Sequence, residues 1–145
     1  MQLWIKVNPK NTKVFEALGA TLNDLASTKP KKEKTKLNQS AFKYLTQGTK
    51  TGDKNYKRYY LLYYRLAKVS NELNKSKTAL ANAELSIKSN KKNPEWGPSQ
   101  FEKGLALFNM KKFDKSKASF LIAKKDLVTR NTVKYYLDQI DKINK

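Results

Sequence analysis

Apolar residues recur along this chain at helical spacing, in paired blocks separated by short polar breaks. Tyr56, Tyr59, Tyr60, Tyr63 and Tyr64 fall at i, i+3, i+4, i+7 and i+8, which predicts one long helix carrying an aromatic stripe. The polar run Asn74-Lys75-Ser76 interrupts it, and Ala79, Ala83 and Ser86 mark a second amphipathic stretch. Further on, Phe101, Leu105 and Phe108 lead into the break Asn109-Met110-Lys111-Lys112, after which Phe113, Phe120 and Ala123 resume the pattern. Each block reads as a helical hairpin. Two prolines and a glycine assign residues 93–98 to a connection between hairpins. Arg130 to Lys145 forms a last amphipathic segment, with Val133, Tyr136, Leu137, Ile140 and Ile143 on one stripe.

The two blocks are copies of each other. An offset of 37 residues separates Ala67 from Gly104, Ala79 from Ser116 and Ala83 from Phe120, with no gap. Self-similarity at such a period means stacked supersecondary units that share one core, and a terminal helix is needed to cover the last apolar face. Phe15-Glu16-Ala17-Leu18-Gly19, followed by Leu22, supplies a third copy. Gly19 and Ala67 are 48 residues apart, and the excess lies in residues 27–36. Five lysines (Lys29, Lys31, Lys32, Lys34 and Lys36), one proline and no apolar residue predict a solvated, mobile loop there. The second helix of this hairpin is then expected from about Asn38 to Gln47, ended by Gly48.

Phe15-x2-Leu18-Gly19, Tyr63-x2-Leu66-Ala67 with Ala79-x3-Ala83 and Pro94, and Gly104 with Ser116-x3-Phe120 and Ala123 together resemble the tetratricopeptide repeat. The resemblance covers most of the chain, with Lys103 in place of the family's leucine and a linker about three residues longer. It implies an all-α fold: a right-handed α-solenoid of about three hairpins plus a capping helix. A single domain, 1–145, would divide into repeats 10–48, 54–93 and 97–126 and a cap, 130–145. Residues 1–9, closing on Pro9, would be the tail of a preceding repeat, so that the chain is the C-terminal fragment of a longer array.

The resemblance also implies a function, a scaffold that holds a peptide or helix of a partner protein in a concave groove lined by the first helix of each hairpin. Its groove positions fall on Tyr64, Lys68, Asn71 and Glu72, on Phe101, Leu105, Phe108 and Asn109, and on Glu16, Ala20, Asn23 and Asp24. Partner contact is assigned to Tyr64, Lys68, Asn71, Phe101, Leu105 and Phe108. The subclass that clamps a terminal carboxylate has lysine and asparagine where this chain has Glu16 and Ala20, which argues against that ligand.

Charge adds a rival. With 31 Lys+Arg against 12 Asp+Glu the chain carries +19, a field that concentrates any polyanion. Only Arg58, Arg65 and Arg130 are arginine, and lysine favours diffuse attraction over base readout. In this reading Lys29, Lys31, Lys32, Lys34 and Lys36, with Lys91-Lys92 and Lys111-Lys112, contact the phosphates of RNA or DNA. The tyrosine stripe, interleaved with Lys57, Arg58 and Arg65, has two readings: bases or a peptide stack on it, or it packs against neighbouring helices.

Catalysis has little to stand on. Without cysteine or histidine there is no disulfide, thiol nucleophile, imidazole base or Cys/His zinc site, and no Gly-rich phosphate loop or metal-ligand spacing is present. The expectation is a non-enzyme with no cofactor and no metal. No apolar run reaches membrane-spanning length, the first six residues are too short for a signal-peptide core, and a cysteine-free chain suits cytosol and periplasm equally.

Overall fold

A computed structural model describes residues 11–144; Pro9 and the segment assigned to a preceding repeat lie outside them. The described residues form seven helices and no strand, so the fold class is all-α. The helices are α1 (Thr12–Ala26), α2 (Lys31–Thr49), α3 (Tyr59–Glu72), α4 (Ser76–Ser89), α5 (Gly97–Asn109), α6 (Phe113–Ala123) and α7 (Arg130–Ile143). They pack most extensively in the pairs α1 with α2, α3 with α4, and α5 with α6. Each pair rests on the next through α2 against α3 and α4 against α5, α3 also meets α5, and α7 lies on α6.

Local geometry repeats at the offset found in the sequence. Asn74 and Lys111, the turn residues of the second and third pairs, are both left-handed, with φ of 61° and 62°. In each turn the next N–H reaches back five residues, Lys75 to the Ser70 carbonyl at 2.8 Å and Lys112 to the Leu107 carbonyl at 2.9 Å. These bonds satisfy carbonyls left open at the end of the first helix.

Three expectations are corrected. Residues 31–36 are the first turns of α2, not a loop, and the break between α1 and α2 is confined to residues 27–30. Lysine is a good helix former, Pro30 sits where its missing N–H costs nothing, and Glu33 lies in the positive first turn. Packing begins only at Leu37 and Asn38, so these turns need no apolar residue, while α2 runs through Gly48 to Thr49. The tyrosine helix starts at Tyr59: Gly52 is left-handed, Asp53 accepts from the Asn55 N–H, and Tyr56 remains in the irregular segment ahead. Gly97 and Pro98 belong to α5, because proline is tolerated in the first helical turn.

The core has two main centres. One joins Ala41, Leu45, Leu62, Leu66 and Val69 of α2 and α3, and the other joins Phe120, Ala123, Val133 and Ile140 of α6 and α7. Between them lie small side chains, with Ala79, Ala83 and Ser86 of α4 fully buried and the Ser86 and Ser99 hydroxyls 2.6 Å apart.

A small residue on the first helix lets the second approach. A Cβ on Gly19 would lie 2.3 Å from Cγ of Leu45, and one on Gly104 would lie 2.7 Å from the Phe120 ring. Gly19→Ala should therefore cost about 1–3 kcal/mol in urea denaturation, although alanine is the better helix former. Unchanged or increased stability would show that the two helices can separate at no cost.

Candidate functional site

The surface to which the groove positions belong is the first-helix side of the pairs, made by α1, α3 and α5. Polar groups knit its α1–α3 portion. Arg65 reaches Asp24 at 2.9 Å and the side-chain Oδ1 of Asn23 at 3.0 Å, while the Asn23 amide nitrogen donates to Asn38 at 2.9 Å and to Glu72 at 2.7 Å. Lys68 completes the set through Glu72 at 2.7 Å. Glu16 accepts from the Tyr56 hydroxyl and lies 3.2 Å from Arg58. Burial, with Glu16 next, raises the Tyr56 phenol far above its usual range, while Glu16 raises the Arg58 guanidinium further.

Across α3–α5 the central pair is Asn71 and Glu102, both buried. The Asn71 amide donates to Oε1 of Glu102 at 2.9 Å and to its backbone carbonyl at 3.0 Å. Burial, opposed by this amide and by Lys68, pushes the Glu102 carboxyl up to about 7. Oδ1 of Asn71 is buried with no hydrogen-bond partner among the described residues. When protonated, Glu102 carries an O–H, the kind of donor that this acceptor lacks. Tyr64 is pushed to about 12 by burial and then by Glu102.

The expected partner-contact residues are placed as follows. Tyr64 is half-buried with Trp96 against it, ring centroids 5.1 Å apart, and the Arg65 guanidinium 5.8 Å from its ring. Lys68 is half-buried, and Asn71 is committed to Glu102. Phe101, Leu105 and Phe108 pack on the α6–α7 core, with Tyr136 of α7 at 5.9 Å from Phe101 and 5.3 Å from Phe108. Of the lysines assigned to phosphate, Lys29 lies in the turn before α2, and Lys31, Lys32, Lys34 and Lys36 are exposed on α2. At about 100° per residue these four do not share one face.

Two features escaped sequence reasoning. Trp96, read as part of a connection, is a ring against which both Tyr60 and Tyr64 pack; an aromatic beside a proline-glycine break was the available signal. Glu102 on the buried side of α5 gave no local sign, because its partner is 31 positions away. No group of His, Cys, Asp and Glu among the described residues could hold a metal ion, and no described helix is long and apolar enough to cross a membrane. Comparison with known proteins returned no matching family model, curated protein or solved structure.

Proposed function

We propose that the chain is a non-enzymatic interaction module of tetratricopeptide type, its hairpins forming a right-handed solenoid whose first-helix side receives a helix or peptide of a partner protein. The observation that carries this reading is the seat of α7. An amphipathic helix lies with Tyr136 and Leu137 against the aromatic cluster that includes Phe101 and Phe108, so this chemistry suits a helix laid into a groove. On this reading Phe101, Leu105 and Phe108 anchor the chain's own cap, and the partner meets the charged and aromatic stretch at Tyr64 and Lys68.

The direct contact of α3 with α5 and the repeated turn geometry support the stacking. Helical peptides selected from a display library against the whole chain give the test. Tyr64→Ala with Lys68→Ala should weaken the selected peptide about tenfold or more while circular dichroism stays unchanged. Equal affinity in the double variant would remove the groove assignment.

A further inference from the structure

We propose that the cleft between the start of α3 and the loop after α4 binds single-stranded nucleic acid, a ligand additional to the helix or peptide received at Tyr64 and Lys68. The cleft encloses about 720 Å³, within the range of ligand sites. Lys57 and Arg58 line it from one segment, Lys91 and Lys92 from another, and no carboxylate is among its lining residues. Like charges gathered around a concavity reinforce one another's field, and an anion lodged there gains from all of them. Only Arg58 has an internal counterion, Glu16, and its side chain is still 60% exposed. Among the described residues Lys57, Lys91 and Lys92 form no ion pair.

The cleft's aromatic wall decides between anions. Trp96 and Tyr60 both line it, their rings edge to face at 5.6 Å, and Tyr64 packs on Trp96 from the same helix as Tyr60. The indole is thus braced by two tyrosine rings on the wall of the cleft. An acidic peptide would use the cations and leave the rings idle. A nucleic-acid strand uses both, phosphates on the cations and an unpaired base on a ring. A duplex keeps its bases stacked inside, so a single strand is the form that reaches the indole. With three lysines and one arginine the cleft has little means of reading base edges, and binding is expected to be tolerant of sequence.

The test uses the whole chain and fluorescent oligothymidylate and oligouridylate of about ten nucleotides, a length that matches known single-strand site sizes. Lys57→Glu, Lys91→Glu and Lys92→Glu together should weaken binding at low salt by about tenfold or more, with a shallower salt dependence. Lys31→Glu, Lys32→Glu and Lys34→Glu change net charge equally on exposed turns of α2 and should cost less than about threefold. In a Trp4→Phe chain, where Trp96 is the sole tryptophan, the oligonucleotide should quench the indole and base-free polyphosphate should not. Equal losses in the two triple variants would reduce the binding to diffuse charge. Absent quenching, no binding at low salt, or tighter binding of an oligoglutamate of equal charge would overturn the proposal; the last would make the cleft a peptide site.

Discussion

Phe120→Ala is expected to lower the stability of the chain by about 3–5 kcal/mol. Phe120 is fully buried. Its ring lies nearly parallel to Tyr136 at 5.4 Å, tilts against Phe101 at 5.8 Å, and fills the space left by the missing side chain of Gly104. Removing it opens a void with a glycine on one wall, so no side chain on that wall can extend into the gap. The same ring holds α7 through Tyr136, and the loss should be concentrated at that end. Hydrogen exchange should show α7 amides losing protection before those of α2 and α3, as expected when the two core centres respond separately. Against a total of about 5–15 kcal/mol for a domain, such a loss is visible in any urea titration. Leu121→Ala is the control: the side chain is 47% exposed and should cost within about 0.5 kcal/mol. A loss below about 1 kcal/mol for Phe120→Ala would mean that α6 and α7 collapse onto the void, and the account of Gly104 would fail with it.

What the chain disclosed about itself divides by range. The 37-residue offset and the polar breaks located the last two helix pairs, and the stripe of Val133, Tyr136, Leu137 and Ile140 located α7, because helical periodicity and turn residues are local signals. Ile143, the last member of that stripe, is 51% exposed, at the end of the helix. The lysine run misled for an equally physical reason. Absence of apolar residues marks absence of packing, not absence of helix, and a helix nucleated at its packed turns propagates outward through residues of good propensity.

The candidate sites were less legible still. Groove positions can be counted along a repeat, but what each side chain does with the neighbouring helix cannot. Asn71 is spent on Glu102, Asn23 on Asn38 and Glu72, and Phe108 on Tyr136. Likewise Lys57 and Lys91 are unremarkable separately and acquire meaning only when α3 and the end of α4 are brought alongside Trp96.

Glu102 should make the chain more stable in mild acid than in mild base, and Glu102→Gln should abolish that difference. The folded carboxyl holds its proton to about 7 because burial penalises the anion, whereas the unfolded value is the ordinary 4.5. Below 4.5 both states are protonated and the contribution is whole. Between the two values folding takes up a proton, so stability falls as pH rises, and above about 7 the contribution is lost. The span corresponds to about 3 kcal/mol. Lys68, Arg65 and Glu72 also bear on Glu102, the two cations favouring its anion and Glu72 opposing it. The informative quantity is the difference between wild type and variant at each pH. Glutamine keeps an oxygen for the Asn71 amide and offers an N–H that never ionises to Oδ1 of Asn71, which otherwise lacks a donor. Urea titrations at pH about 5 and about 8 should show near equality in acid and a variant more stable by about 2–3 kcal/mol in base. A variant destabilised equally at both values would mean that Glu102 is an anion throughout, held by Lys68 and Arg65, and that Oδ1 of Asn71 is satisfied by some other donor.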